Sequence, residues 1–371
     1  MSYLLAFAGF AALIILHEFG HFAAAKAVGM RVERFALFFP PLAARVRRGE
    51  TEYAVGTIPL GGYVKITGMN PHEDIAPEVA HRAYFRQAVW KRVVVIFAGP
   101  FVNFVIAFGI IWALFVAHGL VHSALRVDQV ERTGAAVGQL RPGDRILSVD
   151  GRPGFAPNLG DAEIARRQQA MRAAVNRHGC TGGRRAEGCA ATTPATVVVQ
   201  RAEERVTLRI PPRYNGEADT MLLGFRYGID TEDVGPGHAA GLAVDRMWEV
   251  TTATVTGVVR IFYDTQARRE VSGVVGSYEV TRQSFDFDTT RALSILALIS
   301  LSLAVINLFP FLPLDGGHIF WAVAEKVRGR PIPFSVMERA SVVGFMLVAI
   351  LFAIGLTNDI GRLTGEGFNV R

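Results

Sequence analysis

The sequence predicts a polytopic α-helical membrane protein of about four transmembrane helices, with a cytoplasmic β-hairpin region and an inserted extracytoplasmic α+β domain. Composition is the first ground. Half of the 371 residues are hydrophobic, 19% are charged and mean hydropathy is +0.28, a balance that soluble domains rarely reach. Four long apolar runs are the second, and the placement of the basic residues between them is the third. The apolar content excludes disorder, the lack of a short repeat excludes collagen-like or low-complexity structure, and two Cys are too few for a disulfide scaffold.

The apolar runs lie near residues 3–29, 93–117, 292–312 and 341–356. A hydrocarbon core of roughly 30 Å needs about 20 helical residues, so each is a candidate span. Val93 to Ala117 carries no charge, and neither does Ser341 to Thr357. The first run offers small residues at Ala23, Ala24 and Ala25, as a cleaved signal would. No Lys or Arg precedes it, however, so it is expected to remain as an anchor. Residues 30–92 hold ten Lys or Arg, and Lys326, Arg328 and Arg330 lie between the last two runs. The positive-inside rule places both loops in the cytoplasm, with both termini and residues 118–291 outside. The net charge of +6 is thereby read as topology, with a lipid bilayer and no nucleic acid as partner.

In the first cytoplasmic loop, Glu52 to Ile66 has β-branched and aromatic residues on both sides of Gly61-Gly62, which predicts a hairpin turning at those glycines. The inserted domain is expected over 118–212. It opens with a Pro142-Gly143 turn feeding a short strand to Gly151. A helix follows from an Asp161 cap to a Gly179 stop, with Ile164, Gln168, Met171 and Val175 on one face. Strands at Ala195–Arg201 and Arg205–Ile210 complete it before Pro211-Pro212. Residues 213–291 form a linker in which Ala240, Val244, Met247, Thr251, Thr254, Val258 and Ile261 recur at helical spacing. That stripe fits an interfacial helix or one packed on the small domain. The third span with its motif covers 292–317, a cytoplasmic loop 318–340, the fourth span 341–357 and a tail 358–371.

The first span contains Leu16-His17-Glu18-Phe19-Gly20-His21. Residues four apart on a helix differ by only about 40° around the axis, so both imidazoles can reach one metal ion. Glu18 adjoins His17 and can act on water at that metal as a general base without being a ligand. Ionisable side chains inside a span cost a few kcal/mol each and persist mainly where they work. A catalytic zinc takes three protein ligands and keeps a fourth position open. The only acidic residue in or against the third span is Asp315, within Asn307-Leu-Phe-Pro310-Phe-Leu-Pro313-Leu-Asp315-Gly316-Gly317-His318. Its prolines and glycines break the helix at membrane depth, where irregular backbone must line a cavity or be covered by protein. His318 is the competing third ligand. A structural metal site, or polar residues that bond helices together, is the alternative to catalysis.

These residues resemble the site-2 proteases, intramembrane zinc metalloproteases. That family pairs HExxH in its first helix with Asn-x-x-Pro-x-x-Pro-Leu-Asp-Gly-Gly in a later one. Gly99-Pro100-Phe101-Val102-Asn103 and Gly61-Gly62-Tyr63-Val64-Lys65 are also similar to it, and the region around Arg141-Pro142-Gly143-Asp144-Arg145-Ile146 is similar to a PDZ domain. A departure occurs at Ser272-Gly273-Val274-Val275-Gly276, where the family usually has Pro after Ser-Gly.

The resemblance implies one zinc ion per chain, held by His17, His21 and Asp315, with Glu18 as catalytic base. It implies that Asn307 and Asn103 help to hold substrate, Asn307 also at the oxyanion. It makes the strand edge at Gly61 and Gly62 a candidate for receiving an unwound substrate by β-augmentation. The expected substrate is a single-pass membrane protein such as an anti-sigma factor, already trimmed by an upstream site-1-type protease. The expected location is the bacterial inner membrane. The PDZ-like domain would gate access or bind free C-termini. Cys180 and Cys189 lie in a Gly-rich insertion and can pair if that region is outside the cytosol, or with His178 can form a weak metal site. A metal transporter is the competing class. It would spread ionisable residues through several spans with repeat symmetry, whereas here they cluster at one depth. A non-catalytic adaptor would not need Glu18.

Overall fold

The chain begins with helix α1, Ser2–Ala27, and continues into two antiparallel strands, β1 Val32–Arg48 and β2 Thr51–Ile66, before helix α2, Val89–His118. The computed structural model describes residues 1–70, 73–157, 159–180, 186–216, 218–330 and 332–365. It divides into two compact units, one of residues 1–115 and 235–371, the other of residues 116–234.

A hairpin does occupy the first loop, but it does not turn at Gly61-Gly62. The turn is Gly49-Glu50, between the paired residues Arg48 and Thr51, with Gly49 at φ 61°. Gly61 and Gly62 lie inside β2, with Gly62 opposite Leu37. Glycine within a strand often marks a close approach rather than a reversal. Here a Cβ at Gly62 would stand 2.8 Å from Cγ of Glu18, so β2 runs against α1 at the site helix. The hairpin turn is tied to the end of α1 by Glu50, which accepts hydrogen bonds from both Arg82 terminal nitrogens (2.6 and 2.9 Å) and from Lys26. The Arg82 guanidinium, with Lys26, lowers the Glu50 carboxyl from its ordinary 4.5 to about 2. A depressed carboxylate stabilises the fold above its unfolded value and loses that contribution as pH falls through its folded one. Acid-unfolding curves of wild type and Glu50→Gln should therefore differ above pH about 4.5 and converge towards pH about 2. A constant offset across that window would remove the charge explanation.

The smaller unit is built on a sheet of order β10-β3-β4-β6-β7, from β3 Leu120–Val130, β4 Arg145–Val149, β6 Ala195–Arg201, β7 Glu204–Ile210 and β10 Phe225–Glu232. The short β5, Arg152–Pro153, pairs with β4, and β8 Arg213–Asn215 with β9 Thr220–Leu222. Val127, Ile146, Met171, Val197, Val199 and Ile210 fill its core, at 1% exposure or less. Asp144 after the Pro142-Gly143 turn accepts from the Arg141 amide and from Arg201, which fixes that turn to the end of β6. Helix α3 spans Asp161–Val175, shorter than the sequence suggested, and its N-cap is Gly160. Asp161 is not the cap because its carboxylate instead accepts from His122 on β3, at 2.9 Å. The unit also runs past Pro212: β10 pairs along β3 from Phe225↔Val130 to Glu232↔Leu120, a union of its first and last strands that no local pattern announces.

Among the described residues, six helices and a break complete the larger unit, beginning with α4, Pro236–Ile261. Its buried face is Ala239 and Ala243, with Met247 and Val250 packing on Ala107, Leu301 and Val305, so it lies along α2 and α7. The stripe read from sequence faces the same side from Met247 on, with Thr251, Thr254, Val258 and Ile261 half-buried and the Thr254 hydroxyl meeting Ser302 of α7, while Val244 is turned out at 56% exposure. Small residues such as Ala239 and Ala243 allow close helix approach in an apolar setting. The short α5, Thr265–Glu270, leads into α6, Val274–Phe287, which packs on α1. Helix α7 is Thr289–Asn307, α8 is Asp315–Arg328 and α9 is Phe334–Thr364. Fully buried Asp359 on α9 accepts from the amides of Gly273 (3.0 Å) and Gly276 (2.8 Å), capping α6. A Cβ at either glycine would meet that carboxylate, which explains both glycines of Ser272-Gly273-Val274-Val275-Gly276. Val274 is the first residue of α6, a position that also accepts proline, so the departure there leaves the cap intact.

Helices α1, α2, α7 and α9 are long and apolar enough to cross a membrane. Exposed Val343, Phe345, Met346 and Ile350 on α9 and Trp90, Phe101 and Val105 on α2 present apolar surface that suits hydrocarbon. Of the tail, residues 366–371 lie outside the described residues, as do residues 181–185 of the Gly-rich insertion.

Candidate metal centre

His17 and His21 occupy one face of α1, each 7% exposed, together with buried Leu13, Gly20 and Ala25. That face meets α2 closely. A Cβ on Gly99 would collide with the His21 ring, so glycine is required where the imidazole crosses the helix. His21 Nδ1 donates to the Val95 carbonyl at 2.8 Å, turning Nε2 inward as a bare lone pair in the neutral ring.

Asp315 arrives from the other end of the sequence. Helix α7 stops at Asn307, the chain turns through Leu308–Leu314, and α8 starts at Asp315. Gly316 and Gly317 lie against the backbone of Leu308 and Leu312, leaving no room for a Cβ and folding the break tightly. The far end of α8 is held on α2 by a fork in which Arg92 donates to both Glu325 oxygens at 2.8 and 2.9 Å. Ile319 packs on the cluster of Met30, Val32, Ile66 and Val95. Asp315, Ile319, Ala322 and Glu325 share one helix face, so these contacts set the rotation that presents Asp315.

Three donor atoms therefore meet. Nε2 of His17 and Nε2 of His21 are 3.3 Å apart, and Asp315 Oδ2 stands 3.3 Å from the first and 3.4 Å from the second. Oδ2 is buried and receives no hydrogen bond. Two lone pairs and a carboxylate oxygen facing one point repel unless a cation lies among them. Tetrahedral zinc with bonds of about 2.0–2.1 Å holds its ligands roughly 3.3 Å apart, so the triangle fits one face of such a site. Two imidazoles and one carboxylate are a donor set zinc accepts while keeping a position open. Among the described residues these three are the only His, Cys, Asp or Glu side chains grouped in this way. His318, one turn along α8, is not part of the group.

Glu18 adjoins the cluster without joining it and lies where α1 meets β2 at Gly62, while Gly61 faces the ring of Phe39. Asn103, fully buried on α2, contacts His17 Nδ1 through its amide at 3.2 Å. Asn307 is the last residue of α7 and half-buried. Cys180 and Cys189 are bonded to each other in the smaller unit, with Cα atoms 5.8 Å apart. His178 beside them is held by Asp150 and Thr193. Asp359, Arg92 and Glu325 carry no signal of their own in the sequence, because each stands near other charges at the end of an apolar run or in a polar helix, Arg362, Lys91 and Lys326 respectively.

The family described as peptidase family M50 matches residues 5–351 of this chain. The zinc metalloprotease Rip1 of Mycobacterium tuberculosis is 30% identical over 392 residues, covering 91% of this chain and 93% of its own. The regulator of sigma-E protease RseP of Salmonella typhimurium is 26% identical over 435 residues, covering 95% and 96%.

Proposed function

The chain belongs to peptidase family M50, and we propose that this zinc metalloendopeptidase cuts peptide bonds within or beside the transmembrane segments of single-pass proteins. The observation that carries the proposal is the convergence of Asp315, from the start of α8, on His17 and His21 beside Glu18, which lie on a helix of membrane-spanning length. His17, His21 and Asp315 would hold the zinc, which when bound would supply Lewis acidity towards the scissile carbonyl and acidify the attacking water. Glu18 takes the proton of the attacking water and delivers it to the leaving amine. The break from Asn307 to Asp315 gives water a route that unbroken lipid-facing helices would not. Asn307 supports the substrate at that break.

A helical substrate hides its carbonyls in i to i+4 bonds and must unwind before attack. Strand β2 is the surface proposed to receive the unwound chain by backbone pairing, because it passes Glu18 at Gly62 with Val55 and Ile58 exposed. The basic loops 30–92 and 318–340 are assigned to the cytoplasm, which puts both termini and the smaller unit outside. That unit serves as a PDZ-like filter that passes substrates already shortened by a first protease, with β10 as its end strand. The sigma-E wording in the name of RseP supports an anti-sigma factor as the substrate type.

The test is cleavage of a panel of single-pass reporters by the purified zinc-loaded chain, with cut sites mapped by mass spectrometry. Cuts within or next to the spanning segments are expected. Cuts confined to soluble domains would remove the intramembrane assignment.

A further inference from the structure

We infer that Asn103 is a positioning residue for His17: its side-chain oxygen accepts the His17 Nδ1–H and so holds the ring in the tautomer whose Nε2 is bare towards the metal. The inference rests on the reading that His17, His21 and Asp315 hold zinc.

The reasoning starts from an asymmetry between the two imidazoles. A metal-ligating histidine almost always gives its other N–H to a fixed acceptor, which sets tautomer and ring orientation. His21 has the Val95 carbonyl for this purpose, at 2.8 Å. His17 Nδ1 faces the Asn103 amide, at 3.2 Å. The two ends of an amide are nearly isosteric, so which one faces the ring is decided by the hydrogen-bond network.

With the amide nitrogen towards the ring, Nδ1 must be the bare nitrogen and Nε2 must carry the proton. That proton would point into the 3.3 Å gaps to His21 Nε2 and Asp315 Oδ2, where a metal belongs. The same orientation leaves Asn103 Oδ1 buried with no hydrogen-bond partner. Rotating the amide by 180° removes the conflict at the metal: the oxygen then accepts from Nδ1–H, and Nε2 is free to ligate. The unpaired end of the amide is exchanged, NH2 for oxygen, so the choice between the two orientations rests on the metal.

Asn103 is built to hold such an orientation. It has no solvent exposure, and Ser300 of α7, equally buried, donates its hydroxyl to the Asn103 main-chain carbonyl at 3.0 Å. The backbone beneath the amide is thereby pinned between α2 and α7, and its reach to His17 is set by helix packing rather than by a flexible loop.

The test measures zinc affinity, not turnover. The detergent-solubilised full-length chain competes with a chromophoric chelator for Zn²⁺ as wild type, Asn103→Leu and Asn103→Asp. Loss of such a hydrogen-bond partner typically weakens metal binding about 10–100-fold, and that is expected of Asn103→Leu. Asn103→Asp keeps an acceptor of the same reach and is expected to bind zinc at least as tightly as wild type. Equal affinity for wild type and Asn103→Leu, or Asn103→Asp as weak as Asn103→Leu, overturns the inference while leaving the metal site standing. A wild type that binds no zinc removes the metal site itself, and this inference with it. Nitrogen chemical shifts of the His17 ring in zinc-free protein give a second reading: Nδ1 protonated in wild type, and a mixture of tautomers in Asn103→Leu. Nε2 protonated in wild type would contradict the assignment.

Discussion

Glu18→Gln is expected to lower kcat by about 10²–10⁴-fold while leaving zinc content at the wild-type level. Glutamine matches the shape of glutamate, which matters because β2 passes at Gly62 with little space beside the Glu18 side chain. The amide cannot take a proton from water at neutral pH, so the attacking step loses its base. The three donors, His17, His21 and Asp315, are untouched by the change, and zinc should stay. Single-turnover assays on a cleaved reporter, run beside metal analysis of both proteins, separate these effects. Wild-type turnover in the variant would mean that another group carries the proton. Zinc lost together with activity would mean that Glu18 supports the metal rather than the water.

Asp315→Ala is expected to have the opposite signature, with zinc and activity lost together. Removing one of the three proposed ligands leaves two imidazoles and takes away the only carboxylate of the donor set. The weakening should exceed the roughly 100-fold upper range seen when a partner outside the ligand set is removed. The fold should survive, because α8 is anchored by the Arg92–Glu325 fork and by Ile319, neither of which involves the metal. Metal analysis after gel filtration, with a thermal melt as control, is the measurement. One zinc retained per chain would bring His318 forward as the third ligand, the alternative that the spacing of the motif leaves open.

Most of the candidate site was legible because its parts are local. Four residues of helix set His17 and His21 on one face, and two prolines with two glycines around Asp315 announce a helix break wherever they occur. The four spans were legible for the same reason, since hydrocarbon thickness selects length and composition without reference to neighbours. The hairpin turn was misplaced because Gly61-Gly62 has the composition of a turn, while its glycines serve the approach of β2 to α1. The stripe on α4 was legible by its period from Met247 to Ile261, whereas its partners, α2 and α7, and the close approach at Ala239 and Ala243 exist only in the fold.

What the sequence alone determined is the candidate chemistry: which donor types are present, their helical spacing, a neighbouring carboxylate, and helices long and apolar enough to cross a membrane. Which residues support that chemistry was decided by tertiary structure. Asn103 meets His17 across 86 residues, Arg92 meets Glu325 across 233, Asp359 caps α6 across 83, and β10 closes on β3. Each of these is a hydrogen bond between groups brought together only by helix or strand packing. A lone Asn, Arg or Asp carries no periodicity of its own, so its partner exists only once the fold has placed it.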